Sequence, residues 1–184
     1  MSSKTDELIK RGLIQDYPYF LKNNICYETI MGSVAYGCSD DLSDTDIYGF
    51  FMPPKSQLFP YEGNKLIYKF STPPNVTEQF QKHHIKDEQN RRNYDITIFS
   101  IVKYFKLCMD NNPNMIDSMW TKKRHVLQSN RISEHVLSNR KIFLCKKAWH
   151  TFKGYAYSQL NKASTKDAFK WVSFCQSINL DPLN

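Results

Sequence analysis

The sequence predicts an α+β fold: a mixed β-sheet with helices on one face, followed by a helical C-terminal region. Two observations lead there. Short β-forming runs at 26–31, 46–52 and 94–99 each stop at a glycine, a proline or a serine. From about residue 129 to 163 the apolar spacing is helical and strand signals are lacking. The division expected is therefore a sheet-bearing part, 1–122, and a helical part, 123–184, with the seam near 122–129.

Taken in order, residues 5–15 (TDELIKRGLIQ) predict a short helix, with Leu8, Ile9 and Leu13 at helical spacing and Thr5 at the N-cap. CYETIM (26–31) reads as a strand ended by Gly32, and DIYGFFM (46–52) as a second closed by Pro53-Pro54. Residues 61–70 predict a further strand. Residues 71–93, with Pro73-Pro74 and a charged run, read as a loop or mobile insert. Tyr94–Phe99 alternates, which sets Asp95, Thr97 and Phe99 on one face of a strand. Ser100 then caps a helix over 101–109 with Ile101, Tyr104, Phe105 and Cys108 on one side. The NNPN run at 111–114 breaks it, and Pro113 suits the first turn of the next helix. Ser138-Asn139 separates two later helices.

Composition narrows the function. The chain has 184 residues, 41% of them apolar, enough for a packed core. No apolar run approaches the ~18 residues of a membrane span, and the polar N-terminus lacks the apolar region of a signal peptide, so a cytoplasmic protein is expected. The five cysteines are widely spaced without a CxxC pair, which argues against zinc and for buried, reduced thiols. A net charge of +7 suits a polyanionic partner such as a nucleotide or RNA, and equally a solvated basic surface.

The chemistry concentrates in GSVAYGCSDDLSDTDIYG, residues 32–49. Asp44 and Asp46 stand at i and i+2 on a strand and so project to the same face. Neighbouring carboxylates repel unless a cation lies between them, and hard oxygen ligands with room for phosphates suit Mg²⁺. Two such ions about 3.5–4 Å apart can clamp the attacking and leaving oxygens of a phosphoryl displacement. Upstream, Gly32-Ser33 follows a strand. There a glycine lets a phosphate approach the backbone, and the serine hydroxyl can donate to it. Alone, a DxD or a Gly-Ser is more often a solvated turn; the two in this order point to a nucleoside triphosphate held with Mg²⁺.

GSVAYG (32–37), SDTDIYG (43–49), YDITIF (94–99), NNPNMID (111–117) and FKGYAYSQL (152–160) resemble the DNA polymerase β-like nucleotidyltransferase superfamily. They look more closely like a subfamily of nucleotidyltransferases of bacteria and phages, some linked to RNA repair. The resemblance implies a nucleotidyltransferase palm in which Asp44 and Asp46 hold Mg²⁺ with a third carboxylate from a neighbouring strand. Asp95 is its match, with Asp87 and Glu88 as fallbacks. It implies that Gly32 and Ser33 bind the triphosphate, and that a nucleoside monophosphate passes from an NTP to a hydroxyl with release of pyrophosphate. RNA (tRNA-like), a protein side chain and a small molecule stand open as acceptors; a membrane partner is not expected. The chain departs from the subfamily at Asp117, where the pattern has Glu, and it ends at Asn184 before a further helical stretch usual in the family, so a shortened C-terminal region is expected. Two other readings stand beside transfer: a catalytically silent nucleotide- or RNA-binding module, and a phage factor acting on a host system.

Several basic residues have two readings each. His83-His84, with Lys82 and Lys86, could contact phosphates or form a solvated loop. Arg91-Arg92 could face a triphosphate or an acceptor backbone. Lys122-Lys123-Arg124 and Lys146-Lys147 lie near Trp120 and Trp149, an interleaving that suits RNA, although such aromatics commonly belong to a core.

Overall fold

The computed structural model describes residues 3–39, 43–55, 61–62, 65–66 and 78–177. Strands β1 (Ile25–Met31), β2 (Thr45–Phe51), β5 (Gln79–Asp87), β6 (Arg92–Ser100) and β7 (Val126–Ser129) make one sheet in the order β5-β6-β2-β1-β7. β2 and β6 run parallel and the other neighbours antiparallel, so the sheet is mixed, as expected. A separate ladder pairs β3 (Tyr61–Glu62) with β4 (Lys65–Leu66) where one strand over 61–70 was expected. Residues 67–70 and Pro73-Pro74 lie outside the described residues.

Each face of the sheet buries its own apolar cluster. On one, Ile47, Phe51, Ile96 and Ile98 meet Leu8, Ile14 and Leu21 of the N-terminal segment, which includes helix α1 (Lys4–Lys10). On the other, Phe50 and Phe99 meet α3 (Ile101–Met109), α4 (Pro113–Trp120) and α5 (Arg131–Ser138) through Tyr104, Met115 and Val136. The helices that follow the sheet strands thus stack on one face, and α1 covers the opposite one. Buried Tyr104 anchors the second cluster, its ring 4.8 Å from that of Phe50 and its hydroxyl 2.6 Å from Ser118 Oγ. Burying a ring of this size contributes about 2–3 kcal/mol.

Local signals explain most element ends. Ser100 Oγ accepts from Lys103 N at 3.2 Å and starts α3, and Asn112 caps α4 with Pro113 in the first turn. Helix α1 is shorter than the expected 5–15, because Gly12 takes φ +73 directly after the C-cap Arg11; its N-cap is Ser3, not Thr5, with Ser3 Oγ accepting from Asp6 N at 2.9 Å. At the base of α1 the buried Glu28 carboxylate of β1 accepts from the backbone N–H groups of Lys4 (2.6 Å) and Thr5 (3.2 Å). Gly49 is required where β2 crosses β1: a Cβ there would run into the Tyr27 carbonyl.

Two strands were not foreseen. β5 replaces the loop expected over much of 71–93, and β7 adds an edge beside β1 within the seam near 122–129. Beyond β7, α5 and the long α6 (Lys147–Ser177) are helical, split after Ser138 as expected, and α6 extends past residue 163. Cys26 and Cys108 are buried, but Cys38 and Cys145 are exposed, which corrects the expectation for those two. No helix among the described residues is long and apolar enough to cross a membrane.

Candidate metal and nucleotide site

The parallel pairing of β2 with β6 places Asp46 directly beside Asp95. In a parallel ladder, residues in register project to the same face, here the face that carries Phe50 and Phe99 and packs against α3 and α4. Asp44 lies two residues before Asp46, so three carboxylates converge at one end of the β2–β6 pair. Burial raises the Asp46 carboxyl above its ordinary range, and the charges of Asp95 and Asp44 add to this. A chain that keeps three repelling acids together is arranged for positive charge, and the donor set fits a divalent ion.

Gly32 borders this group. β1 aligns Met31 with Asp46, and Gly32 turns the chain with φ +63 into the short helix α2 (Gly32–Tyr36). A Cβ at position 32 would overlap Asp46 Oδ2 and lie 3.1 Å from its Cγ. The glycine therefore leaves room for the Asp46 carboxylate. Ser33 is the next residue of α2, half-buried at the same turn. A small cleft of about 130 Å³ opens here, lined by Met31, Gly32, Tyr36, Asp46, Tyr48, Asn114 and Tyr155. Tyr36 donates to Asp117 Oδ2 at 2.7 Å, so Asp117 positions a cleft wall. Tyr48 is pushed up by burial and by the Asp46 charge.

The sequence reading missed what stands opposite Asp95. Lys82 pairs with Ile96 and Ile85 with Tyr94, so His83 and His84 together face Asp95 in a bulge, with His84 at φ +53. The His84 backbone N–H donates to Asp95 Oδ1 at 2.7 Å, and His83 Nδ1 lies 3.1 Å from Asp95 Oδ2. The ligand atoms of Asp44, His84 and Asp95 all lie within 4.8 Å of one another. An Asp-His-Asp grouping spread over the start of β2, β5 and β6 leaves no spacing motif; the only sequence signal was the adjacent histidine pair itself.

Other expected residues lie elsewhere. Asp87, a fallback for the third carboxylate, is buried at the far end of β5 and takes both Arg11 Nη1 (2.7 Å) and Nη2 (2.6 Å), which hold its carboxyl well below the usual range. Glu88 is exposed beside Lys86 and Arg11. Arg91 and Arg92 are exposed in the turn into β6. Lys122, Lys123 and Arg124 are exposed between α4 and β7. Trp149 is 72% exposed, and Trp120 carries the Arg140 guanidinium 5.1 Å from its ring centroid, so neither is a core aromatic.

Comparison with known proteins adds one finding. The model of the RNA repair pathway DNA polymerase beta family matches residues 11–175. No curated protein and no solved structure matches the chain.

Proposed function

Because the chain belongs to the RNA repair pathway DNA polymerase beta family, we propose that it transfers a nucleoside monophosphate from an NTP to a hydroxyl acceptor. The acceptor oxygen attacks the α-phosphorus, the bond from that phosphorus to the bridging oxygen breaks, and pyrophosphate leaves. Asp44, Asp46 and Asp95 would hold the divalent ion, Mg²⁺. When bound, such an ion neutralises the triphosphate and the charge that builds on the leaving oxygen. Asp95 takes the proton of the attacking hydroxyl, and Gly32 and Ser33 receive the triphosphate at the β1–α2 turn. The observation that carries this reading is the Asp46–Asp95 register, which sets acids distant in sequence side by side next to the Gly32 turn.

The acceptor we favour is RNA. The family description names RNA repair, the net charge is +7, and exposed Lys122, Lys123, Arg124 and Trp149 offer phosphate and stacking contacts. The part of the chain from residue 123 on is proposed to face it.

The test is transfer from each labelled NTP, with Mg²⁺ and total RNA or total protein. Asp44→Asn and Asp46→Asn each keep side-chain volume but remove a charged oxygen ligand, so each should abolish labelling without unfolding the chain. Equal Mg²⁺-dependent NTP affinity in the wild type and both variants, by isothermal titration, would remove the metal site and leave a silent binding module as the better reading.

A further inference from the structure

We infer that His84 is a nitrogen ligand of the ion held between Asp44 and Asp95, and that it gives this centre a tighter hold on Mn²⁺ than on Mg²⁺. The inference rests on the nucleotidyltransferase reading for the presence of an ion, and goes beyond it by adding a donor of a different element.

The backbone aims the two histidines. In a regular strand, successive side chains alternate between faces, and one residue of β5 would oppose Asp95. The extra residue of the bulge sets both His83 and His84 against it. They divide the work. Asp95 Oδ2 is met by His83 Nδ1 at 3.1 Å, a hydrogen-bonding distance, and Oδ1 by the His84 backbone N–H at 2.7 Å. Asp95 is thereby held in one orientation, and His83 is a positioning residue. The His84 ring reaches further: its Nδ1 lies 3.8 Å from Asp44 Oδ2 and 4.0 Å from Asp95 Oδ1. Those separations are long for hydrogen bonds. Ligands about 2.1 Å from a shared ion lie roughly 3.0 Å apart when adjacent and 4.2 Å apart when opposite. At least one of the two distances must therefore shorten by about 1 Å, to the adjacent value, when the ring closes on an ion.

The ring is also unencumbered. The His84 side chain is 78% exposed, so turning it onto an ion displaces no packing. Chemistry then sets the preference. Mg²⁺ favours oxygen alone, whereas first-row transition ions gain from imidazole, and Mn²⁺ also accepts carboxylates, phosphates and an octahedral shell. Mg²⁺ stays a competent occupant through the acids. The nitrogen favours Mn²⁺.

The experiment uses the full chain without an affinity tag, with Mn²⁺ as the probe. Electron paramagnetic resonance counts bound ions, and electron spin-echo modulation reports a directly bound ¹⁴N. The wild type should show ¹⁴N modulation. His84→Asn, which tolerates the left-handed backbone, should lose it and weaken Mn²⁺ binding about tenfold, with Mg²⁺ affinity changing far less. His83→Ala should keep the modulation. Mn²⁺ bound with an affinity that falls in Asp44→Asn, but without ¹⁴N modulation or with modulation that persists in His84→Asn, overturns the role of His84 and leaves the transferase reading standing. Mn²⁺ binding that is indifferent to Asp44→Asn strikes that reading, and this inference with it.

Discussion

A methyl group at position 32 would occupy the space of an Asp46 oxygen, and it would do so from a left-handed backbone, φ +63. Gly32→Ala therefore has two penalties, about 1–2 kcal/mol for the backbone and a displaced carboxylate. On the proposed function Mg²⁺ plus NTP should raise the Tm of the wild type; we expect Gly32→Ala to have a lower Tm and to lose that shift, although no ligand atom has been deleted. A variant that keeps the full shift would mean that Asp46 is not confined by the turn. Glu28 offers a pH-dependent test. Burial pushes its carboxyl up to about 7, with the Asp6 charge also raising it and the Lys4 and Thr5 N–H groups pulling it down. A group raised in the folded state stabilises fully below its unfolded value of 4.5 and loses that contribution as pH rises through about 7. The advantage of wild type over Glu28→Gln should thus shrink between those limits, by on the order of 3 kcal/mol at most. Denaturant titrations at several pH values measure it; a gap that widens with pH would reverse the assignment. Of the proposed site residues, Asp44 and Asp46 stood out in the sequence as an i and i+2 pair at a strand start, and the strand itself begins at Thr45, between them. His84 did not stand out, because its partner lies on another strand.

Among elements, Asn111 shows how a short motif can tie several together. It is fully buried at φ +53 between α3 and α4. Its Nδ2 donates to Cys108 O (3.1 Å), Met109 O (3.3 Å) and Phe143 O (2.8 Å), and its Oδ1 accepts from Cys145 N (3.4 Å). Asn111→Ala forfeits the bonds and strains the backbone, a loss of about 3 kcal/mol. Asn111→Gly keeps the backbone conformation and should be milder by about 1 kcal/mol. Equal losses in denaturant unfolding would show that φ plays no part. The elements readable in advance carried their own local signals: alternation in Tyr94–Phe99, the Ser100 cap, and Pro113 after Asn112. β5 was hidden by its bulge, since buried Phe80 and Ile85 are five residues apart and an odd step breaks the two-residue period. β7 was hidden because four residues, none of them buried, form a strand only by pairing with β1. Helix α1 was found but not its start: Ser3, the better N-cap type, begins it, and the Glu28 carboxylate accepts from the first helical N–H groups.

For the whole molecule, the excess of positive charge makes a prediction about solution behaviour. If RNA is the acceptor, as proposed, its binding should weaken as salt rises, with the slope of log affinity against log salt falling by roughly 0.7 for each phosphate contact removed from a single strand. Replacing Lys122, Lys123 and Arg124 together by Gln should flatten that slope in fluorescence anisotropy. An unchanged slope would move the acceptor surface away from the α4–β7 connection. The sheet carries a different consequence. Among the described residues, β2–β6 is the only parallel pairing, and it is the pairing that joins Asp46 to Asp95. Antiparallel β1–β2 and β5–β6 can form early, from residues close in sequence. Joining the two pairs requires closing the long stretch between them, and such non-local closures are slow. In a refolding experiment, helical signal and bulk collapse should therefore be complete before the protein first captures a metal ion, so that, on the proposed function, ion uptake serves as a clock for the docking of β6 on β2.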